Sequence, residues 1–471
     1  MKSSILSFLL FLLIQPAFSS TVTVKGKVEN GDKNLIRIIK YADLFSRFVP
    51  GRALASTVTD ENGNFSLKFE LKNTAYAFFA LDLKKSEIYL NPGATYLLKV
   101  KNDTSLLNKG SIFDKEENPL PVELISSTDS LNQNISLFNT MFDNFVYNNF
   151  MSIYKRHDMK VIDEFKKTVD KTFTTALKGY FKNYVEYTVA TTVWLSRNGN
   201  SKKMLRNYFV NREVLYGNIA YADFFREFFK GYFKSPSRKD VKYDDIVPLV
   251  NSGGGYESFD SLIKKDTLLA RNGQLLQLVE MEVLKECYYD KSVNRQNVEN
   301  ILGELAAKSK YPEIGEIAVN YLKRFHRLAY GTPAPGFQLP DILGNETTLD
   351  DFKGKFVLLT FMNTGCKICE KQLENVQKIA GRYPVALKTV TVISGKNSSE
   401  TIKFFRQKGY DWTLLLLGDK ITILEDYDVK AFPAYVLLNP DGTVAMAPAP
   451  MPDENLDYFI QRIIKIFKKR N

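Results

Sequence analysis

Two of the three cysteines in this 471-residue chain, Cys366 and Cys369, lie in the stretch FMNTGCKICEKQ with Lys367 and Ile368 between them. Three chemistries use such a spacing. A dithiol can cycle with its disulfide, two thiolates can supply half of a tetrahedral zinc site, and a static bridge can staple a turn. The stretch itself leaves all three open. Other candidates are sparse. The histidines, His157 and His326, sit in helical patterns far from the pair, and Cys287, in LKECYYD, has an apolar helical context that reads as an inert buried thiol. NSGGGYES has no strand leading into it and no Lys-Ser or Lys-Thr after it, so it reads as a loop and not a phosphate cradle.

Compartment bears on the choice. MKSSILSFLLFLLIQPAFSS carries an early charge at Lys2, an apolar run from Ile5 to Ile14, a breaker at Pro16 and small residues at Ala17 and Ser19. This is the plan of a secretory signal peptide over residues 1–20, with cleavage expected after Ser19 or Ser20. The apolar run is well short of the roughly 20 residues of a spanning helix. No second such segment follows, and no membrane span is expected after cleavage. The absence of a cysteine near that site argues against a lipoprotein anchor. The expected location is the periplasm or cell envelope, where thiols meet oxidising conditions and tend to pair; of three cysteines, one is then left over. A formal charge of +11 invites a nucleic-acid reading, which export opposes. The basic residues are scattered except in RIIKIFKKRN, where they complement the negative end of a closing helix.

The elements that must position the pair follow from periodicity. The length exceeds what one hydrophobic core serves, and 44% hydrophobic content predicts folded domains throughout. From Thr21 the period is two: Val22, Val24 and Val28 alternate with polar residues, as do Phe65, Leu67, Phe69 and Leu71 after DENGN. Together with the turn signal Asn91-Pro92-Gly93, this predicts an antiparallel β-sandwich over residues 21–105. From about Asp129 the period is helical, with Leu131, Ile135, Phe138, Phe142 and Phe145 on one face, which predicts an all-α region over 106–329. In ADFFREFFKGYF a stripe of Phe224, Phe225, Phe228 and Phe229 reads as core rather than as a groove for clients. Pro333, Pro335 and Pro340 then open a third regime over 330–471, in which strands and helices alternate. FVLLTFM reads as a buried strand, the cysteine pair opens a helix, LKTVTVIS is a strand, SSETIKFFRQKG a helix, FPAYVLLNPDGTVAMA a hairpin, and a last helix starts near Asp453. That alternation is an α/β domain with a central sheet, so the whole chain is read as multidomain α+β.

Residues 330–471 resemble the thioredoxin fold of the exported TlpA and ResA-like thiol-disulfide oxidoreductases. The resemblance is carried by PAPGFQLPDILGNETTLDDFKGKFVLLTFMNTGCKIC, with Leu349, Phe352, Gly354 and Lys355 in a Leu-x-x-Phe-x-Gly-Lys run, and by VKAFPAYVLLNPDG downstream. The front of the chain is similar to the β-sandwich plus helical regions that precede such domains in envelope proteins. The resemblance implies that Cys366 attacks a client disulfide and Cys369 resolves the mixed disulfide. It also implies that Pro433 is a cis-proline facing the pair, with the Phe432 backbone beside it as a client-binding edge. Physical reasoning agrees: the first thiol of a pair opening a helix meets unpaired N–H groups that favour the thiolate. Lys367 adds a cation beside it.

Three features depart from the family. Gly365 replaces the usual tryptophan, Lys367-Ile368 replaces a dipeptide ending in proline or similar, and Thr360 stands where thioredoxin has a buried aspartate. Zinc would need two more ligands, and neither a second Cys-x-x-Cys nor a nearby histidine exists. So short a loop makes a weak staple, and a peroxiredoxin would want Thr or Ser at position 363, which is Asn. The expectation is an exported protein-disulfide oxidoreductase with no cofactor and no metal. Its partners would be client proteins carrying disulfides or thiols and a redox partner of unstated identity, with the front regions supplying docking or homodimer surface. The alternative is a non-turnover client-binding or scaffold protein, since the tryptophan and the acid are missing.

Overall fold

The computed structural model describes residues 19–31, 33–50, 53–81, 84–101, 120–196, 200–236, 240–363, 366–394, 398–418 and 420–470. The expected signal segment up to residue 18, and Gly365, lie outside them. Among the described residues no helix is long and apolar enough to cross a membrane.

The front of the chain forms strands β1 (Ser20–Glu29), β2 (Leu35–Ile39), β3 (Ala55–Val58), β4 (Asn64–Leu71), β5 (Ala75–Leu81), β6 (Lys84–Leu90), β7 (Thr95–Lys101) and β8 (Val122–Ser127). They make two four-stranded sheets, ordered β4-β1-β7-β8 and β3-β2-β5-β6. Alternation works as expected in β1 and β4, whose Val22, Val24, Phe65 and Leu67 share one core with Ile36, Ile38, Phe79 and Leu81 of the other sheet. Two features differ from expectation. The first sheet is mixed, because β7 returns from the second sheet running parallel to β1. Strand structure also continues past residue 105, since β8 pairs with β7. Val122 and Leu124 alternate with polar neighbours, but too briefly for the run to stand out.

The second sheet is covered on both faces. Ala77, Phe79 and Ile88 meet the first sheet, whereas Tyr76, Phe78 and Tyr89 join a core made mostly of helices. A strand buried on both sides loses its alternation, and β5 is accordingly buried almost throughout.

Ten helices follow among the described residues: α1 (Leu131–Tyr154), α2 (Met159–Thr172), α3 (Gly179–Leu195), α4 (Ser201–Leu205) and α5 (Ile219–Phe229); then α6 (Tyr243–Asn251), α7 (Gly255–Ile263), α8 (Gly273–Tyr289), α9 (Arg295–Lys308) and α10 (Pro312–His326). Asp158, Asn218, Asn272 and Asn294 cap α2, α5, α8 and α9 by accepting backbone N–H groups that the first turn leaves free. Phe224, Phe225, Phe228 and Phe229 are at most 2% exposed, so the aromatic stripe is core, as the sequence suggested. A buried ion pair between Arg37 of β2 and Glu425, 2.8 Å apart, ties the front sheets to the C-terminal region. Leu35 and Leu328 pack against that region's own core.

The C-terminal region contains β9 (Gln338–Pro340), β10 (Glu346–Thr348), β11 (Phe356–Asn363), α11 (Lys367–Arg382), β12 (Leu387–Ser394) and α12 (Ser398–Lys408). It continues through β13 (Thr413–Leu416), α13 (Thr422–Asp426), β14 (Ala434–Leu438), β15 (Val444–Ala449) and α14 (Leu456–Arg470). Its sheet has the order β13-β12-β11-β14-β15, with β12 parallel and β14 antiparallel to the central β11. Val357, Leu359 and Phe361 face one side; Phe356, Leu358 and Met362 face the other, under α11 and α14. The chain is thus multidomain, with sheets in front, helices in the middle and a thioredoxin-like region at the end.

Candidate active site

The sequence places the cysteines where a central strand stops and a helix begins. Seven apolar or small residues bury β11 on both faces, and the chain then leaves the sheet, with the Cys366 N–H donating to the Asn363 carbonyl at 3.3 Å. Cys366 is the N-cap of α11: its backbone is extended, and its Sγ accepts the Cys369 N–H at 3.2 Å. Here the two sulfurs are joined in a disulfide, with the Cα atoms 5.2 Å apart. Cys369, one turn into the helix, is 1% exposed, whereas Cys366 is only partly buried. The Cys366 sulfur is therefore the more accessible of the two. On reduction, that sulfur faces the unpaired N–H groups of a 16-residue helix, which stabilise negative charge.

Lys367 is 81% exposed, and its ammonium pairs with the Glu370 carboxylate at 3.1 Å. The cation of Lys367 is thus accompanied by an anion in the same turn, which reduces the field expected from lysine alone. Ile368 is 39% exposed and gives the rim an apolar spot.

Phe432 and Pro433 lie at the same end of the sheet. Ala434 is registered opposite Phe361, so the antiparallel β14 brings Pro433 to the end of β11 from which the cysteine loop departs. Pro433 immediately precedes β14, where its missing N–H costs no ladder bond, and the Phe432–Pro433 peptide bond is cis. Phe432 and Cys366 both pack against a cluster built on Met362, Cys369, Leu373 and Phe405.

Beneath α11 the sheet carries hydroxyls rather than an acid. Thr360 is 1% exposed, and its Oγ1 has no hydrogen-bond partner. Its cross-strand neighbours are Thr391 and Tyr435. Thr391 accepts the Trp412 indole N–H at 2.9 Å, while the Tyr435 hydroxyl and Thr389 Oγ1 are buried without partners. Burial, with a contribution from the Asp453 charge, holds the Tyr435 phenol far above its ordinary range.

Two participants escaped the sequence reading. Trp412 packs against the cluster that holds Cys369; as one of only two tryptophans, it could have been noticed as a replacement for the one missing before Cys366. Gln372, 3% exposed and one turn beyond Cys369, donates from Nε2 to Asp453 at 2.6 Å, a contact across 81 residues that no local pattern marks. The remaining candidates are elsewhere. Cys287 is fully buried as a free thiol, its pKa pushed up to about 11 chiefly by burial. His157 Nδ1 lies 2.6 Å from the Ser196 carbonyl, and His326 pairs with Glu299 at 3.1 Å.

Known proteins resemble the C-terminal region of the chain. Residues 330–447 match the model of the AhpC/TSA family. The chain is 33% identical over 126 residues to the thioredoxin-like protein YneN of Bacillus subtilis, covering 26% of this chain and 74% of that protein. It is 30% identical over 141 residues to the thiol-disulfide oxidoreductase ResA of the same organism, covering 29% and 77%. Among solved structures, the thioredoxin domain of a thiol-disulfide oxidoreductase from Bacteroides vulgatus is 26% identical, with a TM-score of 0.27 and coverage of 29% of this chain and 98% of that one. A thioredoxin-like protein from Bacteroides caccae is 18% identical, with a TM-score of 0.31 and coverage of 51% and 93%.

Proposed function

This chain belongs to the ResA-like family of thioredoxin-like thiol-disulfide oxidoreductases, and on that premise we propose that it is exported and exchanges disulfides with client proteins through Cys366 and Cys369. The observation that carries the reading is the asymmetry of the pair. Cys366 is accessible at a helix N-cap, and Cys369 is buried behind it.

A client thiolate attacks the Cys366 sulfur, the Cys366–Cys369 bond breaks, and the electron pair leaves on Cys369. Attack on the resulting mixed disulfide by a second client thiolate releases an oxidised client and leaves the dithiol. Run in reverse, the Cys366 thiolate attacks a client disulfide and one client thiolate leaves; Cys369 then attacks the Cys366 sulfur of the mixed disulfide, the second client thiolate leaves, and the Cys366–Cys369 bond re-forms. Phe432 and Pro433 form the edge along which an extended client segment lies, in the manner of strand addition. Thr360, Lys367, Ile368 and Gly365 modulate the potential and the fit. The two front sheets are read as a β-sandwich, and residues 1–20 as the export signal that delivers the chain to the periplasm or cell envelope.

Dithiothreitol-dependent insulin reduction by the mature protein tests this reading. Turnover lost in Cys366→Ser and in Cys369→Ser is the expected result. A wild-type chain without turnover would favour a scaffold role, which the missing tryptophan and acid would then explain.

A further inference from the structure

Between the second front sheet and helices α1, α3 and α5 lies a cavity of about 630 Å3 that the thiol chemistry does not use. The rings of Tyr76, Tyr89, Phe142, Tyr147, Phe150 and Tyr184 line it. Two carboxylates, Glu87 on β6 and Asp143 on α1, stand among them, and no lysine or arginine contributes to the wall among the described residues. A third acid in the wall, Asp223, is already held by Arg47 and Arg226, and Glu87 accepts the Tyr76 hydroxyl. Neither Glu87 nor Asp143 pairs with a cation among the described residues.

Aromatic faces carry negative potential and attract cations, more so where the site is partly desolvated. Flanking carboxylates deepen that potential, and rings also accept the methylene stem behind the charge. The groove is longer than one side chain requires. A second cavity of about 890 Å3 shares Thr191, Leu195 and Asp223 with the first, and Tyr147, Phe150 and Leu195 are 84%, 51% and 47% exposed at the mouth. In the second cavity Arg226, Lys230, Lys234 and Lys285 join the wall, and Glu282, 2% exposed, pairs with Lys285 through Oε1 while Oε2 has no hydrogen-bond partner, so this part offers donors as well as an acceptor to the groups of a peptide backbone.

We propose that this two-part groove binds an extended polypeptide, with an arginine or lysine side chain seated in the aromatic part between Glu87 and Asp143. Its use for docking clients rests on the disulfide-exchange reading; the binding itself does not.

The test separates the two by using the full mature chain with Cys366→Ser and Cys369→Ser, in which no covalent capture can occur. Calorimetric titration is run with a blocked alanine pentapeptide carrying a central arginine, with its citrulline counterpart, and with choline. The arginine peptide is expected to bind about five- to thirtyfold more tightly than the citrulline one, the range a desolvated cation over rings provides. Glu87→Gln with Asp143→Asn should remove that preference, and Tyr147→Ala should weaken binding without unfolding an exposed position. Equal binding of the two peptides, no binding of either, or choline binding as tightly as the arginine peptide would each overturn the proposal; the last would mark a small-amine site. Active exchange in the wild-type chain with no peptide binding here would reject the groove and leave the thiol chemistry standing.

Discussion

Replacing Thr360 with aspartate puts an acid back at the position where thioredoxin has one, and the structure says what that should cost. The side chain is 1% exposed, sits under α11, and has no hydrogen-bond partner for its oxygen. Aspartate is close to threonine in volume, so packing changes little and the charge dominates. Full burial raises a carboxyl pKa by up to 3–5 units. Taken at the low end of that range, the shift is roughly 3 units above the unfolded value of about 3.9. Because the folded pKa is then the higher one, Thr360→Asp is no less stable than the parent below about pH 4, where both states are protonated. It loses about 1.4 kcal/mol per pH unit above that, levelling near pH 7 at a deficit of about 4 kcal/mol. Urea unfolding followed by Trp412 fluorescence, in a Trp194→Phe background, measures this at a series of pH values. The same carboxylate, ionised above pH 7, should speed resolution by Cys369. A deficit independent of pH, or none at all, would refute the reasoning: position 360 would be in contact with water, and a dry sheet would no longer account for a hydroxyl there.

Cys369→Ser should accumulate client mixed disulfides on Cys366, visible as reducible adducts on a non-reducing gel, while Cys366→Ser should accumulate none; the opposite pattern would invert the roles. Lys367→Glu leaves Glu370 without its cation and adds an anion, so the Cys366 pKa should rise and the reduction potential fall, by only a few tenths of a pKa unit for so exposed a pair, as read by thiolate absorbance. Cys287, with a pKa near 11 and no exposure, should resist alkylation at neutral pH in the native protein and react only on unfolding; fast native labelling would show that the helical core opens.

Much of this architecture was legible because it follows from periods and breakers. The alternation in β1 and β4, the apolar run of β11, the helix opening at the cysteines and the position of Pro433 just ahead of β14 all follow from local residue order. What escaped was set by neighbours distant in sequence. The run YAFFALDL lost its alternation because helices cover its second face. The parallel pairing of β1 with β7 depends on the chain's excursion through the other sheet. At the site, sequence puts a lysine next to Cys366, but only the fold shows it paired to Glu370, and Trp412 reaches the cluster around Cys369 from the far side of β12.

The doubly covered sheet makes β5 and β6 a party wall. Tyr76, Phe78 and Tyr89 belong to the helical core as fully as Phe138 or Phe181 do, while Ala77, Phe79 and Ile88, on the reverse face, close the neighbouring one. A fragment starting at α1 would therefore be a room missing one side, with aromatic residues meant for contact left facing water. Front and middle should melt in a single calorimetric transition, and protease nicks between them should not release either piece intact. Evolution can then exchange or trim the helices only in step with the strands that back them, which makes this pair a single heritable module despite its two periodicities.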